Sequence, residues 1–328
     1  MENKKELGKF YTSNVSVILE RYESFIEGKD VVDPMCGSGY LLDWARTHRP
    51  SSLLGYDIDA KVYGITQDTL MDPPDYSGKF ILANPPYLLR NKSKDKTIYN
   101  HYDISDLYKA SLLSFLNNNA DEGILIIPSN FFVDLDVNFR SYVFSKWNIS
   151  EIQMFDSKVF SDTNVRVCTF YFKKGITTEV LGHTVVDGAR IGKEWYEYIN
   201  VESRFKVSRL RSDDEFATGI ILKATDTGST GGEIHLEKGA YHYGKNTDRN
   251  IATIVVSDLT RDEREEDYII KMFNEILNGF REQYDSMFLT NFLAGKDGVI
   301  RKRISFRDAY KLIARIIQNG SKDGIISS

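Results

Sequence analysis

A rigid asparagine loop follows a short apolar run in the first third of the chain. Its residues are Asn84-Pro85-Pro86-Tyr87, directly after the predicted strand Phe80–Ala83. Two consecutive prolines stop both helix and sheet, so they hold the Asn84 side chain and the Pro85 carbonyl in fixed positions. Two fixed acceptor oxygens suit an amino group that carries two hydrogens. The pattern therefore predicts a site for a planar NH₂ group, in preference to a structural loop in which the asparagine serves as a cap.

A second segment whose residues could bind a ligand is the predicted turn at residues 33–39, with the sequence DPMCGSG. Its two glycines, Gly37 and Gly39, let the backbone approach a ligand closely, and the turn directs amide groups at that ligand. Asp57 ends the next predicted strand, eighteen residues after Gly39, near the position at which an acidic residue binds a ribose in nucleotide-binding α/β folds. The third glycine of the dinucleotide fingerprint is missing from the sequence, so the turn predicts a nucleoside ligand without a pyrophosphate.

A doubly wound parallel sheet would bring these two loops to one edge. Four short apolar runs bounded by turn residues are typical of buried parallel strands. These runs are residues 30–35, 53–58, 80–83 and 123–128, and helical patterns lie at 40–47 and 107–117. The alternation predicts right-handed βαβ units in an α/β, Rossmann-like sheet. Two later strands, 151–155 and 166–172, are joined by a segment too short for a crossover helix, which predicts an antiparallel strand at one edge.

The character of the sequence changes after residue 174. Residues 176–260 hold scattered strand-like pieces, and two helical patterns at 262–291 and 306–319 close the chain. We predict a first domain of residues 1–175 and a smaller C-terminal mixed α+β domain of residues 176–328.

Composition bounds the class of protein. The chain has 328 residues, a net charge of −5, two cysteines and no apolar run near the ~18 residues of a membrane span. The two cysteines exclude a disulfide framework and a zinc site of their own, and the N-terminus has no secretory apolar core. We expect a cytoplasmic protein that needs neither a membrane nor a metal. Residues 296–315 carry seven basic against two acidic side chains, which is as consistent with a local nucleic-acid surface as with a solvated helix face.

The motifs together resemble the gamma class of S-adenosylmethionine-dependent adenine-N6 DNA methyltransferases, the Asn-Pro-Pro-Tyr family. Further strings follow in the order of that family and extend the resemblance over about residues 8–174. They are GKFYT at 8–12, DTL at 68–70, the fifth-strand segment 121–130 and KVFSDTNV at 158–165.

The resemblance implies that S-adenosylmethionine is the cofactor and S-adenosylhomocysteine the product. Thr12 would lie near the methionine carboxylate, Asp33 would hold the amino-acid portion, Asp57 would bind the ribose and Asp68 the adenine amino group. The implied cofactor-binding residues are Phe10, Tyr11, Thr12, Asp33, Pro34, Cys36, Gly37, Gly39, Asp57, Ile58, Asp68 and Thr69.

The resemblance also implies a catalytic loop of Asn84, Pro85, Pro86 and Tyr87. Asn84 and the Pro85 carbonyl would grip N6 of a target adenine, while Tyr87 and Phe160 would stack on its two faces. Two acceptors would stabilise the positive charge that develops on the nitrogen, so no strong general base is needed. The base would have to leave the duplex, at a cost of a few kcal/mol.

The C-terminal domain is expected to read the DNA sequence. Basic, amide and aromatic side chains in its loops suit phosphates and base edges, although solvated loops and helix faces explain them about equally well. The candidate DNA-binding residues are Arg204, Lys206, Arg209, Tyr243, Lys245, Asn246, Arg249, Arg301 and Arg303.

The sequence thus predicts a site-specific adenine methyltransferase for double-stranded DNA, the modification partner of a restriction endonuclease that acts on the same site. An amino-methyltransferase acting on RNA or on protein glutamine is one alternative, because the asparagine loop serves any planar NH₂. A non-catalytic DNA-binding module derived from a methyltransferase is another. A fused nuclease is disfavoured, because Asp156-Ser157-Lys158 matches only part of a nuclease motif.

Overall fold

A computed structural model describes residues 15–59, 64–133, 136–155, 165–211, 217–226, 233–239, 250–257, 262–284, 287–292 and 301–326. The chain forms two compact units. The first comprises Met1–Phe132 and Asp136–Ala189, and the second Val133–Leu135 and Arg190–Ser328.

The first unit is built on a seven-stranded sheet. Its strands are β1 (Asp30–Asp33), β2 (Ser52–Asp57), β3 (Ile65–Thr66), β4 (Phe80–Ala83), β5 (Glu122–Pro128), β6 (Trp147–Met154) and β7 (Val167–Lys174). The order is β3-β2-β1-β4-β5-β7-β6. Strand β7 runs antiparallel to both β5 and β6, whereas the other neighbouring strands are parallel. This order confirms the predicted doubly wound sheet with a reversed strand in the pair at one edge.

Helices cover the sheet as the alternating sequence predicts. Up to residue 144 they are α1 (Val15–Leu19), a 3-10 helix (Glu20–Phe25), α2 (Tyr40–Arg46), α3 (Thr97–Tyr102), α4 (Leu107–Asn117), α5 (Asn130–Val133) and α6 (Val137–Phe144). The central strands β4 and β5 are almost wholly buried, which explains their continuous apolar runs. Beside them, Trp147 stacks on Phe172 with ring centroids 4.0 Å apart, and its indole nitrogen donates to the Ala120 carbonyl at 2.9 Å.

The first compact unit extends to Ala189, and the domain boundary after residue 175 stays a prediction. Two short strands, β8 (Glu179–Val180) and β9 (His183–Val186), follow the sheet and pair with each other. The Thr177 hydroxyl anchors them, because it donates to the Trp147 carbonyl at 2.6 Å and accepts from the Ile149 amide at 3.0 Å. A single buried threonine of this kind leaves no mark in composition.

The second unit is a mixed α+β structure. Its elements are β10 (Arg190–Ile191), α7 (Lys193–Ile199), β11 (Val207–Arg209), β12 (Ala217–Lys223), β13 (His235–Lys238), β14 (Ile251–Val256), α8 (Glu263–Tyr284), β15 (Thr290–Phe292), β16 (Arg301–Arg303) and α9 (Phe306–Lys322). An antiparallel sheet in the order β11-β14-β12-β13 shares a hydrophobic core with α7, α8 and α9. Helix α8 is shorter than the predicted 262–291, because residues 290–292 pair with Arg301–Arg303.

Within the described residues, no helix combines the length and the apolar character that crossing a membrane would require.

Candidate active site

The sheet order brings the glycine turn and the asparagine loop of the first unit together. Strands β1 and β4 are neighbours although they are not consecutive in the chain, and β2 lies on the other side of β1. Asp33, Asp57 and Asn84 therefore follow or end three adjacent parallel strands at their carboxyl ends, which is where ligands bind in open α/β sheets. A cavity of about 290 Å³ lies at this edge and is lined by all three residues. Its volume is close to the lower end of the range, about 300–1,000 Å³, of small-molecule sites.

The glycine turn is held by its own backbone. Gly37 and Gly39 have φ values of 49° and 81°, in the left-handed region that glycine adopts at little cost. The Gly39 amide donates to the Cys36 carbonyl at 2.8 Å, and the Cys36 amide donates to the Tyr56 carbonyl at 2.7 Å. The turn thus ends β1, starts α2 and is fastened to β2.

Asp57 closes the turn from the side of β2. Its Oδ2 accepts from the Gly37 amide at 3.0 Å and its Oδ1 from the Asp59 amide at 2.9 Å. These two hydrogen bonds hold the glycine turn against the end of β2.

Burial disfavours the ionised forms of two acidic groups at this end of the cavity. Asp33 is 1% exposed, and its burial, together with the nearby Asp57 carboxylate, raises its pKa to about 8, although the Met35 amide donates to its Oδ1 at 3.1 Å. Burial and the same two carboxyl groups raise the pKa of the Cys36 thiol to about 12. A ligand that brings positive charge would lower the pKa of Asp33 and favour its ionised form.

A third acidic position flanks the same cavity. Asp68 Oδ1 accepts from the amides of Leu70 and Met71 at 3.1 and 3.2 Å. The buried Thr69 hydroxyl donates to the Pro34 carbonyl at 2.8 Å, and the Thr69 carbonyl accepts from Ser114 at 3.0 Å. These bonds tie the 68–70 segment to the glycine turn and to α4.

The asparagine loop forms the other end of the cavity. Asn84 and Pro86 line it. Tyr87 is 5% exposed, is not among the lining residues, and donates from its hydroxyl to Asn84 Oδ1 at 2.6 Å. In this structure the Tyr87 hydroxyl therefore orients the asparagine amide, and the stacking role that the resemblance implies for its ring stays a prediction.

The cavity gathers most of the cofactor residues named from the sequence. Of those that the structure describes, every one except Gly39 lines it. Phe10, Tyr11, Thr12 and Phe160 lie outside the described residues. Sequence reasoning missed the wall formed by Tyr40, Gln67, Leu88, Ser93, Asp95, Ile98, Tyr99 and Leu107. Six of these residues, from Leu88 to Leu107, follow the asparagine loop in the chain, and that position was the signal available.

In the second unit, the candidate DNA-binding residues form two groups. Arg209 and Arg303 lie over the same ring, with their guanidinium carbons 5.9 and 5.7 Å from the centroid of Phe306 at the start of α9. Arg204 instead lies over Phe205 and reaches Ser321, near the end of α9. At 1.5 Å per residue, the two ends of this helix are about 24 Å apart. The described candidates therefore do not share one patch.

Of the other candidates in this unit, the structure describes Lys206 and Arg301. Lys206 is exposed beside Arg204, and Arg301 is half-buried at the start of β16. Tyr243, Lys245, Asn246 and Arg249 lie outside the described residues. Among the described residues there is no cluster of three or more His, Cys, Asp or Glu side chains that could hold a metal ion.

Comparison with known proteins yields matches among solved structures. No protein-family model and no curated protein matches the chain. A modification subunit of a putative type I restriction enzyme from Vibrio vulnificus is 16% identical, covers 58% of this chain and 51% of its own, and has a TM-score of 0.42. The M protein of the type I restriction enzyme EcoKI is 12% identical, covers 51% and 44%, and has a TM-score of 0.40.

A third similar structure is a putative RNA methyltransferase from Pyrococcus horikoshii. It is 16% identical, covers 53% of this chain and 91% of its own, and has a TM-score of 0.39. The chain spans about half the length of the two modification proteins that it matches.

Proposed function

We propose that this chain is a methyltransferase that uses S-adenosylmethionine and modifies N6 of adenine in double-stranded DNA. The observation that carries the proposal is that one cavity is lined at one end by Asp33, Asp57 and the glycine turn, and at the other by Asn84. A nucleoside site and an amine site thus share one space. The order of the motifs, which resembles gamma-class adenine methyltransferases, supports the same assignment.

The residues of the acidic end fit the proposed cofactor. S-adenosylmethionine is a cationic nucleoside derivative, and when bound it supplies a methyl group that is already activated. In this proposal Asp57 accepts from the ribose hydroxyls and Asp68 from the adenine amino group. Asp33 is a buried carboxyl without a nearby cation among the groups that shift its pKa, so a positively charged ligand group would favour its ionised form.

Asn84 is the residue proposed to act on the target. Its carboxamide oxygen accepts from Tyr87 and, in this proposal, also from an exocyclic NH₂. The Pro85 carbonyl is proposed as the second acceptor. Acceptors on the amine hydrogens stabilise the positive charge that forms on nitrogen as it is alkylated, and a fixed geometry lowers the entropic cost of reaction.

The proposed substrate is an adenine in double-stranded DNA. A flipped-out adenine in duplex DNA is supported by the motif order and by the Arg209 and Arg303 pair beside Phe306, which suits a phosphate backbone. In the same proposal the second unit reads the target sequence, and a restriction endonuclease acting on the same site is the functional partner.

A transfer assay tests the proposal. The protein is incubated with S-adenosylmethionine labelled in its methyl group and, in parallel, with unmethylated genomic DNA, total RNA and a protein lysate. We expect the label in DNA. Label in RNA or protein would overturn the substrate but not the chemistry. Calorimetrically detected cofactor binding with no transfer to any substrate would favour a non-catalytic binding module.

A further inference from the structure

A basic loop follows the asparagine loop directly. Residues 90–96 read RNKSKDK and carry four basic side chains against one aspartate, in a chain whose net charge is −5. We call this segment the 90–96 loop. Lys92 and Lys94 are exposed, and the whole loop lies within the described residues.

Internal hydrogen bonds give the 90–96 loop one conformation. The Lys96 ammonium group donates to the carbonyls of Arg90 and Ser93. Ser93 Oγ donates to the Asp95 carbonyl at 2.6 Å. The Asp95 carboxylate accepts from the Thr97 amide and hydroxyl at 2.8 and 2.7 Å. Lys96 and Asp95 are thus used to shape the loop.

Further bonds fasten the loop to its surroundings. The Arg90 amide donates to the Ser105 carbonyl at 2.8 Å, and Arg90 Nη2 donates to Asn100 Oδ1 at 2.5 Å. The Lys92 amide donates to the Leu89 carbonyl at 2.9 Å. A loop that is already ordered loses little conformational entropy when it binds a partner.

The 90–96 loop stands at the rim of the cavity. Ser93 and Asp95 line the cavity, together with Leu88 just before the loop and Ile98 just after it. Lys92 and Lys94 flank Ser93 in the chain and are exposed. The two lysines therefore lie on a hydrogen-bonded loop at the rim of the cavity that Asn84 also lines.

We propose that the 90–96 loop binds the sugar–phosphate backbone of DNA beside the base that enters the cavity, through Lys92 and Lys94. This inference rests on the proposed function and extends it, because it assigns a phosphate contact to the first unit, where the sequence analysis had placed contacts to the target base alone. A flexible ammonium on a fixed loop suits a phosphate as a point charge, and such contacts position a nucleic acid without reading its sequence.

The test compares two double variants of the full chain. Lys92→Ala/Lys94→Ala removes the proposed contacts. Lys173→Ala/Lys174→Ala removes two exposed lysines at the other end of the parallel strands. There the backbone of Lys173 lies opposite that of Glu122, the first residue of β5. Binding of a fluorescein-labelled 25-base-pair duplex and of a single-stranded RNA is measured by anisotropy over a series of salt concentrations. Methyl transfer is measured on the same samples.

For Lys92→Ala/Lys94→Ala we expect the slope of log K against log salt for duplex DNA to fall by about 1.8, since each phosphate contact contributes about 0.9. Cofactor affinity should stay unchanged. A wild-type slope in this variant, with methyl transfer to DNA retained, would overturn the inference and leave the proposed function standing. If the wild type bound RNA but not DNA, the assignment to DNA would be wrong. If it neither bound nor methylated nucleic acid, the proposed function would fail as well.

Discussion

At the residue scale, the contact that matters most is the one between Tyr87 and Asn84. A buried tyrosine hydroxyl that donates to Asn84 Oδ1 at 2.6 Å fixes which way the amide faces. The two prolines fix the backbone, and Tyr87 fixes the side chain. In the proposed reaction this orientation presents an acceptor to the amine before the target arrives.

The variant Tyr87→Phe removes the hydroxyl group and keeps the aromatic ring, so it tests the hydroxyl alone. Because it removes one hydrogen bond worth about 1 kcal/mol, we expect kcat for methyl transfer to fall by about 5- to 10-fold while cofactor affinity is unchanged. Tyr142→Phe is the matched control, since its exposed hydroxyl donates to Asn117 Oδ1 at 3.3 Å and should have no effect. An unchanged kcat in Tyr87→Phe would show that the hydroxyl does not position Asn84.

Asp33 gives a prediction for stability against pH. Its pKa in the folded chain is about 8, above the ordinary value of 3.8, so folding favours its protonated form. That contribution is complete below pH 3.8 and is lost as the pH rises through about 8. Between pH 5 and pH 8 the wild type should therefore lose about 2–4 kcal/mol of stability relative to Asp33→Asn, at about 1.4 kcal/mol per pKa unit.

Urea unfolding of both proteins at several pH values measures this difference. Asp30→Asn is the matched control at the exposed start of the same strand, where a Ser52 hydrogen bond and Lys79 lower the carboxyl pKa. That variant should run parallel to the wild type between pH 5 and pH 8. Parallel curves for Asp33→Asn would contradict a buried carboxyl with a raised pKa.

At the element scale, the central sheet depends on a close approach between β4 and β5. Gly123 faces Ile81 across these two strands. An added Cβ at Gly123 would lie 2.3 Å from the Ile81 carbonyl oxygen and 2.8 Å from a ring carbon of Phe172. Backbone atoms on one side and a buried ring on the other leave it no room.

Gly123→Ala should therefore destabilise the first unit by about 3 kcal/mol or more, at the upper end of overpacking costs. Gly279→Ala in α8 is a control of opposite sign, because nothing lies within 4 Å of its added Cβ and alanine stabilises a helix interior by about 0.5–1 kcal/mol. Thermal or urea unfolding reports both. Equal stability of Gly123→Ala and wild type would mean that the two strands do not pack this closely.

Much of the fold could be predicted from the sequence because its strongest patterns are local. Helix α4 matches its predicted bounds, and the four apolar runs match β1, β2, β4 and β5 to within a few residues. The attachment of β8 and β9 to the sheet has no local pattern in the sequence, since it depends on the Thr177 hydrogen bonds to β6. The same holds for the end of α8, which depends on a long-range pairing with β16.

The candidate site was predictable in part for the same reason. Motif spacing placed Asp33, Asp57 and Asn84 at the ends of strands, and the sheet order then made those strands neighbours. The burial of Tyr87 and the cavity wall at 93–107 follow from packing that no single motif encodes.

At the scale of the whole molecule, we propose that the first compact unit carries out methyl transfer and that the second binds DNA. The first holds the cavity, and the second holds Arg209 and Arg303 around Phe306. A guanidinium group has a planar fork of N–H donors that matches the geometry of a phosphate.

Arg209→Ala/Arg303→Ala should weaken duplex DNA binding and lower its salt slope by about 1.8, with cofactor affinity unchanged. Lys193→Ala/Lys271→Ala is the matched control in the same unit, because these exposed lysines pair within their own helices with Glu197 and Glu275. Anisotropy titrations of one duplex over a salt series measure both. Identical slopes in all proteins would remove this pair from the DNA contacts.

The central claim is that the Asn84 cavity methylates an adenine amine, and the nucleoside product tests it most directly. Unmethylated DNA treated with wild type or with Asn84→Ala is digested to nucleosides and separated by mass-detected chromatography. We predict N6-methyl-2′-deoxyadenosine from the wild type and at least a 100-fold lower yield from the variant, as for loss of a group that stabilises transition-state charge, about 10²–10³. Methylation on another atom, or equal yields from both proteins, would contradict the account.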